Sequence, residues 1–483
     1  MKKYKIITLF GTRPEIIRLS SIIKDFDKKF NHIMINTMQN YDTNLNKIFF
    51  KDLNLRKPNY EIKIREKNAI QFISSVLTEA DKIFLKEKPD AVFILGDTNS
   101  ALAAISAKRN KIPIFHYEAG NRSFDQRVPE EINRKVVDHL SDINLTYSEE
   151  SRNNLIRENV DPNKIFNVGN PLPEVYENNK EKVINSDIMN SLSLTKNQFF
   201  LVSFHRQENL EDLKIINNFC NFLLHLVKKY KLKVIFSVHP RALEKFKRIK
   251  SIKKSTLIKL LKPLSYTDYL NLQISAKLVF SDSGTINEEA DLLNFKAINV
   301  RENHERHEAM TKGSTIMSGL NLDDLIRCTE FMINEKNYFQ NYNPVQDYKF
   351  NKVSQNISRI VVSYINNVNR NTWKKNWVKI LIFSQYFWPE NFRINDIATF
   401  FSSKGNQVTV ITGYPNYPNG KIFENFNKDK KKYLKYKKIN IIRVPIIPRG
   451  TTRIQLFFNY ISFIISGIFY VIFFKHKKYD KIL

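Results

Sequence analysis

Cysteine is nearly missing from this chain: Cys220 and Cys328 are the only two in 483 residues. That leaves neither a disulfide framework nor a Cys-based metal site, which suits a reducing cytoplasm. Glycine is scarce too, at 12 residues, and neither a Walker loop nor a G-x-G-x-x-G fingerprint occurs. A tightly bound nicotinamide is therefore not expected, and no other cofactor is. The N-terminal apolar run, Ile6–Phe10, is too short for a signal peptide. Net charge is +29, but no basic-aromatic RNA-binding motif or helix-turn-helix signature accompanies it, so nucleic acid is not an expected partner.

What the chain does have is alternation. Through the first 365 residues, apolar runs such as Ile6–Phe10, Ala91–Leu95, Pro113–Tyr117, Phe199–Phe204 and Leu278–Asp282 alternate with helix-like stretches. Alternation of this length predicts an α/β fold with parallel sheets covered on both faces. The runs fall into two groups about Val168-Gly169-Asn170-Pro171, where Gly and Pro suit a hinge. Two doubly wound domains, over residues 1–170 and 171–370, are expected to face each other across a cleft. Ligands of such sheets sit beyond the carboxyl ends of the strands. Six loops there carry unusual chemistry: Gly11-Thr12-Arg13-Pro14-Glu15, Gly96-Asp97-Thr98, Glu118-Ala119-Gly120-Asn121-Arg122, His205-Arg206, His239-Pro240-Arg241 and Ser281-Asp282-Ser283-Gly284.

In SDSGTINEEA (281–290) a strand end passes through a Ser-Gly turn straight into a helix. Free backbone N–H groups and the positive helix end then point into the cleft, an arrangement suited to a diphosphate. Glu289, about one and a half turns further on, is placed to accept hydrogen bonds from ribose hydroxyls. An ordinary Ser/Asp cap is the alternative. In HYEAGNRSFDQRVPEEINRK (116–135), Pro129 suits a helix start and Glu131 a dipole partner, but Glu118 ends a strand expected to be buried. With Asp97 and Glu130 it forms a carboxylate cluster. Like charges held close raise at least one pKa, as acid/base chemistry requires. In RENHERHEAM (301–310), His304 and His307 stand three apart, and the residue a zinc-binding H-E-x-x-H would need as His is Glu308. No metal is expected. Arg301 and Arg306 read as phosphate partners, with solvated charge as the alternative.

Taken together, GTRPE (11–15), GDT (96–98), EAG (118–120), PEE (129–131), HR (205–206), DSG (282–284) and HER–EA (304–309) resemble the non-hydrolysing UDP-N-acetylglucosamine 2-epimerase family. The resemblance runs in order from residue 2 to about residue 365. The spellings AGNRSFDQRVPEEINRKVVDH, SFHRQEN and DSGT look like one subgroup, which converts UDP-2-acetamido-2,6-dideoxy-L-talose into UDP-N-acetyl-L-fucosamine for capsule or O-antigen synthesis. Plain UDP-N-acetylglucosamine 2-epimerase and, in another class, a glycosyltransferase are the alternatives. The resemblance implies a GT-B-like pair of Rossmann-like domains and a cofactor-free isomerase. It implies catalytic carboxylates at Asp97, Glu118 and Glu130 and an essential histidine at His205. Nucleotide and diphosphate contacts map onto Arg13, His239, Ser283, Gly284 and Glu289, with Tyr269 stacking on uracil. Arg122, Arg206 and Arg306 complete the expected substrate-binding set. His307, where relatives have Pro, and Thr285, where many have Gly, depart from the pattern.

Residues 371–483 begin again with a strand-turn-helix signature. SQYFWPENFRIND (384–396), TGYPNYPNGKIF (412–423) and VPIIPRG (444–450) resemble the N-terminal part of a bacterial glycosyltransferase of the L-fucosamine transferase type. That implies a partial Rossmann-like domain without its donor-nucleotide partner. Within it, residues 456–474 are nearly all apolar, with Arg449 and Arg453 before them and Lys475, Lys477 and Lys478 after. A membrane span, a helix lying in the interface and a core helix all remain open. From Asn371 onward, 20 Lys and Arg face 5 Asp and Glu, which favours an anionic membrane surface as partner of the tail. The expected partners are thus a UDP-sugar, that surface and a second copy in a homodimer, for an enzyme in the cytoplasm at the inner face of the plasma membrane.

Overall fold

The computed structural model describes residues 3–39, 49–64, 68–204, 213–238, 240–304, 306–336, 338, 344–350, 352–373, 378–403, 406–473 and 479–483. They form two compact units, Met1–Asn366 and Asn367–Leu483.

The first unit contains two parallel sheets. β1 (Lys5–Phe10), β2 (Asn31–Asn36), β3 (Tyr60–Glu61), β4 (Ala91–Leu95), β5 (Ile114–Tyr117), β6 (Ile143–Thr146) and β7 (Ile165–Asn167) lie in the order β3-β2-β1-β4-β5-β6-β7. β8 (Phe199–Phe204), β9 (Lys233–Val238), β10 (Ile258–Leu261), β11 (Leu278–Ser281), β12 (Ala297–Asn299) and β13 (Ile316–Met317) lie in the order β10-β9-β8-β11-β12-β13. Runs such as KIITLF and FFLVSF are apolar at consecutive positions, as strands covered on both faces must be, and every residue of β8 is buried. Ile7, Leu9, Val92 and Ile94 pack against Phe72, Val76, Ala80 and Phe84 of the helix Ala69–Glu87. Phe200, Val202 and Phe204 do the same against Phe219, Phe222 and Leu226 of the helix Leu213–Tyr230.

Both sheets reverse their winding at one place. In the first, the chain steps outward from β1 through β2 to β3 and returns to β4 on the other side of β1. In the second, it steps outward from β8 and returns to β11. The loops after β1, β4 and β11 therefore open onto the crevices where ligands bind in such folds. The helix Val353–Asn371 runs back to the first sheet's domain. The Ser358 hydroxyl donates to Asp25, the Tyr364 ring meets Phe166 at 5.0 Å, and Asn366 Nδ2 donates to the Tyr4 hydroxyl at 2.7 Å.

The second unit has its own sheet, built from β14 (Lys379–Phe383), β15 (Gln407–Gly413), β16 (Lys435–Tyr436), β17 (Ile439–Val444) and β18 (Lys481–Ile482) in the order β16-β17-β15-β14-β18. Only the β16–β17 pair is antiparallel among the described strands. Ile380, Ile382, Val408, Val410 and Ile441 form its core with Ala398 and Phe401 of the helix Arg393–Ser403.

Candidate active site

Each loop at the crevice has a local reason for its shape. After β1 the chain passes Gly11, where an added Cβ would lie 2.1 Å from Thr37 Oγ1 and 2.2 Å from Ser100 Oγ, so only glycine fits. The helix Arg13–Lys29 begins with Pro14 and Glu15 in its first turn. The Glu15 carboxyl accepts from the N–H groups of Gly11 and Thr12, both at 2.7 Å, and from the Thr98 hydroxyl at 2.8 Å. It therefore ties the loop after β4 to the loop after β1. Burial pushes it up to about 7 despite these donors.

Just past β5 stands Glu118, with φ at 71°, in the left-handed region that non-glycine residues seldom occupy. Its carboxylate is held by several donors: Arg18 Nη1 at 2.5 Å, the Tyr147 hydroxyl at 3.2 Å and the Arg306 guanidinium. Arg18 Nη2 reaches on to Glu288 Oε2 at 3.0 Å, and Arg306 Nε lies 2.7 Å from Glu288 Oε1. Asn170 Nδ2 donates to Glu288 Oε1 at 2.8 Å. Two arginines and two glutamates thus close a buried ring that crosses the crevice. Arg18 and Glu118 come from the first sheet's domain, Glu288 and Arg306 from the second's. Burial opposes ionisation of both carboxyls, with opposite outcomes. At Glu118 the attraction of Arg18 and Arg306 outweighs burial and holds the group well below the usual carboxylate range. At Glu288 burial prevails, and the neighbouring Glu118 and Glu308 add to it, so this carboxyl stands at about 7.

A cavity of about 220 Å³ opens onto this ring. Asp97, Glu130 and Arg134 line it on one side, and Ser283, Gly284 and Thr285 line it ahead of the helix Ile286–Leu293. Arg134, four residues after Glu130 on the helix Pro129–Leu140, grips Asp97 Oδ2 at 2.5 Å and Glu131 Oε2 at 2.8 Å. A second cavity of about 110 Å³ shares Pro14, Arg18, Ser283 and Thr285 with the first and continues past Arg13, Phe49, Tyr266, Tyr269 and Glu289. The Arg13 guanidinium lies 5.4 Å over the Phe49 ring, and Glu289 accepts from Gln273 Nε2 at 2.7 Å. One chamber is lined by carboxylates and cations, the other by aromatic rings with the single carboxyl of Glu289. This is the division that a sugar and a nucleoside joined by a diphosphate would need.

Of the residues singled out from sequence, Asp97, Glu118, Glu130, Ser283, Gly284 and Arg306 line the first chamber. Arg13, Tyr269 and Glu289 line the second. His205, Arg206 and His239 lie outside the described residues. Arg122 is a correction. It faces neither chamber but is fully buried, with Nη1 donating to Asp138 at 2.8 Å and Nε and Nη2 donating to Glu158 at 2.8 and 2.6 Å. Asp138 is also the partner of His116 Nδ1 at 2.8 Å, so Arg122 neutralises an acid beneath the loop. Glu118 is lowered because arginines surround it, and the raised carboxyl at the ring is Glu288. Arg18, Arg134 and Glu288 were missed in the sequence reading. Arg18 had a usable signal, as a lone cation inside Ile16-Ile17-Arg18-Leu19 on the buried face of its helix.

Residues 24–362 match the UDP-N-acetylglucosamine 2-epimerase family. A UDP-N-acetylglucosamine 2-epimerase of Methanococcus maripaludis is 37% identical over 362 residues, covering 73% of this chain and 98% of the relative. The solved UDP-N-acetylglucosamine 2-epimerase of Rickettsia bellii is 44% identical with a TM-score of 0.72, over 77% of this chain and 100% of that one. The Methanocaldococcus jannaschii UDP-GlcNAc 2-epimerase, solved with UDP-GlcNAc and UDP, is 36% identical with a TM-score of 0.68, over 74% of this chain and 99% of that one. The chain belongs to the UDP-N-acetylglucosamine 2-epimerase family. It is an isomerase of the non-hydrolysing type on an α/β, GT-B-like scaffold, with an additional C-terminal sheet unit outside the family match.

Proposed function

We propose that the first unit inverts C2 of UDP-N-acetylglucosamine, giving UDP-N-acetylmannosamine, by eliminating UDP and adding it back. The observation that carries this reading is the carboxylate set of Asp97, Glu118 and Glu130 in one chamber, facing the Ser283-Gly284 turn ahead of a helix start. A sugar C2 proton is not acidic, because no carbonyl adjoins that carbon. Elimination makes its loss feasible. The C2–H electrons become the C1=C2 bond, and the C1–O bond breaks with its electrons leaving on the UDP diphosphate. Oxocarbenium character at C1 is stabilised by the carboxylates, and the departing charge by Arg18, Arg306 and the helix start. Glu118, held ionised, is the base on one face. The arginines that depress its proton affinity are also the cations a diphosphate would draw toward itself, so substrate binding raises the basicity of Glu118. Protonation of C2 from the other face, with return of UDP to C1, gives the epimer.

The stretches 119–139, 203–209 and 282–285 support a second reading, in which UDP-2-acetamido-2,6-dideoxy-L-talose becomes UDP-N-acetyl-L-fucosamine for capsule or O-antigen synthesis. The motifs at 384–396, 412–423 and 444–450 support reading the second unit as part of a glycosyltransferase that consumes such a product. Incubating the purified chain with each nucleotide sugar in heavy water, and following the C2 proton by NMR, tests the proposal. Exchange at C2 of UDP-N-acetylglucosamine, without steady release of UDP, is the expected result. Exchange of the 6-deoxy-L sugar alone would put the second reading in its place, and exchange of neither would end the elimination mechanism.

A further inference from the structure

A surface helix normally turns a polar face to water. The helix Arg453–Phe473 does not. Its inner stripe sits on the second unit's own sheet, with Phe463, Tyr470 and Val471 packed on Leu381, Ile411 and Val444. Asn459 is fully buried there. It accepts from Gln385 Nε2 at 2.6 Å and from the Tyr386 hydroxyl at 3.0 Å, and it donates to the Ile447 carbonyl. The outer stripe carries Ile454, Phe457, Ile465, Ile468, Phe469 and Ile472, each more than half exposed. Asn459 and Gly467 are the only buried residues of the helix, so it is not a core helix.

Length and composition alone would let these 21 residues cross a bilayer. The topology forbids it. The strand before the helix, β17, and the strand after it, β18, belong to one sheet. A single span would place its two ends on opposite sides of a hydrocarbon layer about 30 Å thick. It would also pull Asn459 away from all its partners. The occupant of the outer face must therefore be apolar where it meets the helix and must accept the helix lying flat. Charge identifies it further. Arg453 is exposed in the first turn, Lys475, Lys477 and Lys478 follow directly in sequence, and Lys430, Lys431 and Lys432 are exposed in the same unit.

We propose that the outer face of Arg453–Phe473 is a monotopic docking surface that lies in the plane of an anionic bilayer interface. Apolar side chains enter the acyl boundary while flanking cations meet lipid phosphates. This inference is independent of which sugar the first unit uses.

Flotation of the full chain with vesicles tests it. The chain is expected to float with phosphatidylglycerol-containing vesicles, more weakly as salt is raised, and to bind phosphatidylcholine vesicles poorly. Ile465→Glu combined with Phe469→Glu should lower partitioning by about tenfold or more. The milder pair Ile464→Ser and Ile468→Ser should lower it less. Trp388 packs against the core of this unit and stacks on Tyr433 and Tyr436, so an unchanged near-ultraviolet circular dichroism and tryptophan emission spectrum certifies that a variant has kept its fold. Alkaline carbonate should release the bound chain, and a resistant chain would overturn the flat placement. A parent chain that ignores anionic vesicles, or a folded glutamate variant that floats like the parent, would overturn the docking surface itself. So would a parent that dimerises without binding vesicles and becomes monomeric in the variant, since the face would then cover a second copy.

Discussion

Glu118 and Glu288 share the same two arginines yet shift in opposite directions: attraction to the guanidinium groups outweighs burial at Glu118 and holds it well below the usual carboxylate range, while burial prevails at Glu288. Glu118→Gln and Asp97→Asn should each lower C2 exchange by about a hundredfold or more without loss of UDP affinity, since the proposed mechanism has these carboxylates act on the sugar and not on the nucleotide. Exchange kinetics and calorimetric UDP titrations check both halves. Glu288 also has a signature in stability. Its carboxyl stands at about 7 in the folded chain against 4.5 for an ordinary glutamate. The folded state therefore binds this proton more tightly. Its stabilising contribution is complete below about pH 4.5 and is lost as pH rises through about 7, with a span on the order of 3 kcal/mol. Glu288→Gln keeps the shape without titrating, so it should flatten the fall in stability between about pH 5 and about pH 8. Urea midpoints at the two pH values measure this, and an undiminished fall would assign the slope to other groups.

Elements place these residues, and the loops at their ends tolerate little change. Gly11→Ala drives a Cβ into Thr37 and Ser100 and should destabilise the fold by about 1–3 kcal/mol, as overpacking does, with a matching drop in thermal midpoint. Ser283→Ala combined with Glu289→Ala should weaken UDP binding by about tenfold or more with a smaller effect on turnover, because both residues line the nucleotide side. Central strands were legible in the sequence. β1, β4, β5, β8, β9 and β11 are buried on both faces, and continuous apolar runs betray them. β3, β7, β10 and β13 were not legible: each lies at a sheet edge and is only two to four residues long, too short to carry a pattern. The loops between central strands revealed the site through rare residue types such as Asp97 and Glu118. Arg122 misled for the same reason, as a charged residue in a rich loop that turned inward to a buried acid. Arg18 and Arg134 stayed hidden because a cation on a helix reads as surface until its partner across the crevice is known.

At the scale of the molecule, the described lining of both chambers falls between Thr12 and Arg306 and so belongs to the first unit. A chain cut after Asn371 should retain full C2 exchange, whereas a cut before Val353 should not, because the helix Val353–Asn371 closes the first domain through Ser358, Tyr364 and Asn366. Exchange assays and circular dichroism on the two truncations decide this. A folded but inactive long truncation would show that the second unit takes part in catalysis. The returning helix also imposes an order on biosynthesis. The first sheet has all its strands once Asn167 emerges, but the helix that covers its flank begins at Val353, roughly 190 residues later. At the usual ribosomal pace of about 5–20 residues per second, the nascent N-terminal half waits roughly 10–40 s with the Phe166 flank uncovered. Apolar surface left exposed for that long is where a nascent chain aggregates, and slow codons between the two positions would lengthen its exposure.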